Sequence, residues 1–85
     1  MQLIVSGKVQ GVFFRRNVGN KALELGLKGF AKNLENGNVE VAAQGTKGHI
    51  EALKQYICSN LGNSRVEKIT EKMIVGKNYS LFEIL

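Results

Sequence analysis

The chain has no proline and no tryptophan, one cysteine and one histidine. A single cysteine, Cys58, excludes an internal disulfide framework and any cysteine-built zinc site. The lone histidine, His49, has no serine, cysteine or second metal ligand at useful spacing, so it reads as a surface residue opening a helix. No apolar run approaches the roughly 20 residues that span a bilayer, and no signal peptide is expected ahead of Leu3. Repeats, low-complexity tracts and linkers are missing as well. Neither common phosphate-loop fingerprint occurs: no Gly-Lys-Ser/Thr closes a glycine-rich loop, and Gly-x-Gly-x-x-Gly is absent. What is present is an 85-residue chain, 44% hydrophobic, enough for one domain around one modest core. A cytosolic protein is the simplest expectation, and nothing in the chain requires more than a monomer.

Acidic residues are scarce in one part of the chain only. Residues 1–34 carry six basic side chains (Lys8, Arg15, Arg16, Lys21, Lys28 and Lys32) against the single acid Glu24. Residues 35–85 balance six basic against six acidic side chains, so the whole net charge of +5 lies in the first 34 residues. A positive field there draws small anions, and by itself it suits nucleic acid equally well.

That basic part contains the stretch Gly7-Lys8-Val9-Gln10-Gly11-Val12-Phe13-Phe14-Arg15-Arg16. The apolar run Leu3-Ile4-Val5 before it reads as a strand, and Val18, Ala22 and Leu25 after it share one helical face. A glycine-rich bend between strand and helix turns backbone N–H groups toward one point, beside the positive end of the helix dipole. Arg15 adds a planar, permanently charged fork suited to two phosphate oxygens. The stretch is therefore a candidate anion cradle for a phosphoryl group. A simple turn followed by solvated arginines is the competing reading. Of the two phenylalanines, one is expected to anchor the loop in the core and the other to shape the mouth of the site.

Further along, Gly26 is placed to end the first helix in the left-handed conformation. Gly19 inside that helix costs about 1 kcal/mol relative to alanine. Asn36-Gly37 between two strand-like runs is the strongest short-range hairpin signal, and Val39, Val41 and Ala43 alternate as a half-buried strand should. Thr46 is placed to cap a second helix whose Ile50, Leu53, Ile57 and Leu61 form a buried stripe, ending at Gly62. Cys58 is expected to pack beside that stripe as a small apolar residue. The remainder, residues 65–75 and 79–85, reads as strands joined near Gly76-Lys77-Asn78, with Val66, Leu81 and Phe82 in the core. Strand, helix, hairpin, helix and final strands predict an α+β, ferredoxin-like split βαβ sandwich: an antiparallel sheet with two helices on one face, joined by right-handed crossovers.

These residues resemble the acylphosphatase family. The match runs from Gly7 through Arg15, over Ala22, Gly26-Leu27-Lys28-Gly29-Phe30 and Asn33, along Glu35-Asn36-Gly37-Asn38-Val39-Glu40-Val41 to Phe82-Glu83-Ile84. The resemblance implies one acylphosphatase-like domain over residues 1–85. Its implied reaction is hydrolysis of a carboxyl-phosphate mixed anhydride to a carboxylate and inorganic phosphate, without cofactor or metal. By the same resemblance Arg15 is similar to the family's phosphate-binding arginine and Asn33 to the asparagine that holds the attacking water. The main-chain N–H groups of Gln10, Gly11, Val12, Phe13, Phe14 and Arg15 would form the substrate-binding cradle. The implied partner is a small acyl phosphate, with inorganic phosphate or sulfate as competing anions and neither membrane nor nucleic acid involved. Phe30 replaces a frequent tryptophan at an aromatic core position, Gly62-Asn63-Ser64 stands where a Gly-Pro pair is common, and the basic residue many members carry near their end is missing.

Such chemistry needs no histidine. The leaving carboxylate has a conjugate acid of pKa about 4 and departs unprotonated. Phosphoryl transfer then asks for charge gathered on the equatorial oxygens and a water held in line. A two-residue turn at Asn36-Gly37 would put Glu40 opposite Asn33, beside an anion site. In that case Glu40 must turn away or be screened by Lys32; alternatively, the hairpin loop is longer. The alternative function is a non-catalytic anion- or RNA-binding ferredoxin-like module, but only Phe30 offers a sheet-borne aromatic for stacking bases.

Overall fold

The computed structural model describes residues 1–10, 13–59, 65–72 and 78–85. In chain order the elements are β1 (Gln2–Lys8), α1 (Phe14–Glu24), β2 (Lys28–Asn33), β3 (Val39–Gln44), α2 (Lys47–Cys58), β4 (Arg65–Lys72) and β5 (Phe82–Ile84). The strands form one sheet in the order β4-β1-β3-β2-β5. The β1–β3, β1–β4 and β2–β3 pairs are antiparallel, and the short edge strand β5 runs parallel to β2. This is the α+β ferredoxin-like arrangement, with β4 and β5 at opposite edges.

The core follows from alternation. Leu3 and Val5 of β1, Ala31 of β2, and Val39, Val41 and Ala43 of β3 are buried in one cluster with Phe14, Val18 and Ala22 of α1 and Leu53 and Ile57 of α2. Side chains opposite one another in the register share a sheet face. Ile4, Glu40 and Lys32 therefore lie together on the outer face, with Phe30 and Ala42 next to them.

Local signals account for most boundaries. Gly26, with φ 71°, ends α1 as a Schellman motif: Leu27 N–H donates to Ala22 C=O at 2.8 Å and Gly26 N–H to Leu23 C=O at 3.1 Å. Gly29 is the second glycine that backbone geometry requires, because at φ 146° an added Cβ would lie 1.9 Å from the Ala42 oxygen. Gly19 lets α1 lie directly on β5, since a Cβ there would come within 2.7 Å of Ile84 Cδ1. Thr46 occupies the N-cap of α2, but its side chain makes no capping hydrogen bond.

Several expectations are corrected. Cys58 is exposed, because it lies five residues beyond Leu53 and about 100° per residue carries it off the buried stripe. Leu81 is exposed just before β5, whereas Phe82 enters the core and Val66 packs against its margin. Phe30 is half-buried on the outer face, edge-on to Tyr79 with ring centroids 5.8 Å apart, and is no part of the helix-side core. Leu61, Gly62, Gly76 and Lys77 lie outside the described residues.

Candidate functional site

The hairpin fixes where Asn33 points. β2 and β3 are joined by residues 34–38, with Leu34 N–H donating to Asn38 C=O at 2.8 Å and Gly37 N–H to Leu34 C=O at 3.2 Å. Asn36 Oδ1 accepts from Asn38 N–H at 3.1 Å, so Asn-Gly supplies the bend inside a longer loop. Asn33 is thus opposite Val39, not Glu40. Val39 is fully buried on the helix side, so the Asn33 side chain shares that side. Glu40 lies opposite Lys32 on the outer face and accepts a hydrogen bond from Gln2 Nε2. The hairpin is longer than two residues, and the carboxylate is on the other side of the sheet.

The Asn33 amide oxygen is buried and has no hydrogen-bond partner among the described residues. A buried acceptor in that state costs about 1–3 kcal/mol and calls for an explanation, such as a place for a water or a ligand.

The segment that follows β1 is anchored to the same end of the sheet at two points. Gln10 Nε2 donates to the carbonyls of Leu34 and Asn38, each at 2.9 Å, which fastens the segment to the hairpin just beyond Asn33. Arg15 Nη1 donates to the main-chain oxygen of Leu85. The Leu85 N–H in turn donates to Ala31 C=O at 2.8 Å. One anchor therefore falls on the residue after Asn33, and the other on the chain that flanks β2 two residues before it.

Just before α1 one residue takes an unusual backbone conformation. Phe13 has φ 60° and ψ 19°, the left-handed conformation, which costs a residue with a side chain about 1–2 kcal/mol. Phe13 is the N-cap of α1 and offers no side-chain oxygen, and the first turn contains no acid. Asn17 N–H donates to Phe13 C=O at 3.0 Å, and the amides of the first turn before it have no helical acceptor among the described residues. A left-handed residue leading into a helix brings successive N–H groups to bear on one point. Gly11 and Val12 lie outside the described residues.

A pocket of about 450 Å³ opens at this place, lined by Val9, Phe13, Phe14, Arg15, Arg16 and Ile84. Phe14 is buried in the core and Phe13 is exposed at the mouth. Arg16 is exposed, with its guanidinium 5.7 Å from the Phe13 ring centroid. Sequence reasoning named Gln10 for its main-chain N–H but missed the two bonds of its side chain, since their acceptors are 24 and 28 residues away. Val9 and Ile84 likewise join the pocket only through the fold. Among the described residues no three His, Cys, Asp or Glu side chains stand together as metal ligands. No helix among them is long and apolar enough to cross a membrane.

The acylphosphatase family model matches residues 1–84. A relative called acylphosphatase in Vibrio parahaemolyticus is 40% identical over 84 residues, covering 99% of this chain and 93% of its own. Among solved structures, an acylphosphatase from Coxiella burnetii superposes with a TM-score of 0.92 at 40% identity, covering 99% of this chain and 88% of that one. The acylphosphatase of Bacillus subtilis gives 0.87 at 30% identity, covering 99% and 94%. A ferredoxin-like sheet, a family model that matches residues 1–84 and relatives that match over nearly the whole chain lead to one conclusion: this chain belongs to the acylphosphatase family, whose activity is hydrolysis of acyl phosphates.

Proposed function

We propose that this chain hydrolyses acyl phosphates by in-line attack of a water held by Asn33 on a phosphoryl group held by Arg15 and the main-chain amides of residues 10–15. The observation that carries the reading is the buried, unpartnered Asn33 oxygen, which lies between the two anchors that hold the cradle segment. That oxygen accepts a hydrogen bond from the attacking water, and the amide N–H₂ remains able to donate. Arg15 and the first-turn amides of α1 hold the negative charge of the equatorial phosphoryl oxygens, which is spread over all three in the loose transition state.

The new oxygen–phosphorus bond forms from the water as the bond to the acyl oxygen breaks. The carboxylate leaves with the electron pair and needs no proton, because its conjugate acid has a pKa of about 4. The water's proton passes to a phosphoryl oxygen of the substrate. No side chain has to act as general acid or base, and no metal is required. The physiological setting expected for this activity is a monomer in the cytosol, with inorganic phosphate and sulfate competing for the cradle.

The test is hydrolysis of acetyl phosphate and benzoyl phosphate by the purified protein in the presence of EDTA. Turnover that survives the chelator and is inhibited competitively by inorganic phosphate supports the reading. Anion or RNA binding without turnover replaces it with a non-catalytic module.

A further inference from the structure

Phe13 is a poor choice for its position on two structural counts. Its backbone is left-handed, the conformation that glycine adopts without cost. The residue is 70% exposed, so burial gives no reason for an aromatic ring there. Strain of this kind persists where function uses it.

The surroundings show what the ring can do. Phe13 forms one wall of the pocket, and Ile84 adds further apolar surface. Ile84 is 46% exposed, and the neighbouring Leu85 is exposed as well. The charged surface of the pocket comes from Arg15 and Arg16, and the Arg16 guanidinium over the Phe13 ring restrains where the ring can swing. A phosphoryl group held at Arg15 leaves the acyl end of its substrate next to this apolar wall. An acetyl group is too small to cover the wall, whereas an aromatic or branched acyl group displaces water from both surfaces at once.

We infer that Phe13 is a specificity-determining residue, and that the pocket selects acyl phosphates whose acyl group is aromatic or a bulky hydrocarbon. This inference rests on the function proposed above and names the substrate class of that same site.

The experiment compares kcat/KM for benzoyl phosphate and acetyl phosphate in the unmodified chain, Phe13→Gly and Phe13→Tyr, with the inhibition constant of inorganic phosphate measured alongside. Glycine suits φ 60° better than phenylalanine, so Phe13→Gly keeps the fold, as thermal unfolding will verify. The expected result is a benzoyl-to-acetyl ratio that falls roughly five- to tenfold in Phe13→Gly and stays within about twofold in Phe13→Tyr. A loosened cradle would slow both substrates and weaken phosphate inhibition without moving the ratio. An unchanged ratio in Phe13→Gly, with hydrolysis intact in the unmodified chain, overturns this inference alone. Failure of the unmodified chain to hydrolyse either substrate overturns the proposed function and this inference together.

Discussion

The Gln10 side-chain amide donates to the Leu34 carbonyl at 2.9 Å, joining the segment that follows β1 to the residue after Asn33. The same nitrogen reaches the Asn38 carbonyl at 2.9 Å, so one side chain spans both sides of the hairpin loop. Under the proposed function, Gln10 would act as a positioning residue that sets the distance between the phosphoryl group and the attacking water.

Gln10→Ala leaves two loop carbonyls without this donor and is expected to lower stability by about 1–3 kcal/mol. A shift of about 1 Å between the two halves of a site can cost up to about a hundredfold in rate, so kcat should fall by about ten- to a hundredfold. The inhibition constant of phosphate should change less than kcat does. Gln10→Glu should behave similarly despite its equal length, because a carboxylate cannot donate to two carbonyls. Steady-state kinetics with phosphate as competitor check both variants, and unaltered kcat in either removes the positioning role.

Arg15→Ala is expected to abolish detectable turnover, and Arg15→Lys to restore little, because a point charge does not reproduce a fork. Asn33→Ala should reduce kcat by about 10²–10³ with a much smaller effect on phosphate inhibition. It should also leave the protein as stable as before or slightly more so, because it removes a buried acceptor that has no partner among the described residues. Activity assays paired with thermal unfolding test the combination. A variant that loses both activity and stability would make Asn33 a structural residue.

Gly29→Ala should be severe. Its Cβ would stand 1.9 Å from the Ala42 oxygen at φ 146°, and neither backbone can move without breaking the β2–β3 register. A loss of about 3 kcal/mol or more is expected from urea unfolding. Gly37→Ala is the control: it also has positive φ, 90°, but an added Cβ meets nothing within 4 Å, so about 1 kcal/mol is expected.

Lys54 on α2 reaches Glu71 of β4 at 2.9 Å and Glu51 at 3.5 Å. The hydrogen bond to Glu71, with the nearby carboxylate charges, raises the lysine above its ordinary pKa, although desolvation opposes this. A raised pKa means that the charged form is favoured by folding. Its stabilising effect is therefore complete below the unfolded lysine value of about 10.4 and is lost as pH climbs through the folded value. The difference in Tm between the unmodified chain and Lys54→Met should be constant from pH 7 to 9, then shrink on the alkaline side. It should also shrink with added salt, since the pair is open to solvent.

Local chemistry made much of this legible in the sequence. Gly26 ends α1 as its conformational freedom suggests, Asn36-Gly37 makes a bend, and alternation picks out Val39 and Val41. The strand–glycine–helix order also pointed to the segment between β1 and α1, where Arg15 lines the pocket. What the sequence did not yield depends on distant partners. The length of the hairpin loop decides whether Asn33 faces Val39 or Glu40, and Asn-Gly is compatible with both. The two Gln10 bonds have no local signature, because glutamine at that position reads as an ordinary loop residue. The left-handed Phe13 is equally silent, since a phenylalanine gives no warning of positive φ. Cys58 and Leu81 show the limit of reading apolar character as burial, because each lies one residue beyond a buried neighbour, or one before it, and faces outward.

The near-touch between Gly19 and Ile84 ties the firmness of a helix to the shape of a binding surface. Ordinarily, a mid-helix glycine is the first residue an engineer would exchange for alanine, to gain about 1 kcal/mol of helix propensity. Here the extra methyl would press on the isoleucine that walls the pocket. Toughening this protein by that route would redraw the contour of that pocket, so any thermostable descendant carrying the exchange should be re-profiled for acyl preference before it is treated as the same catalyst.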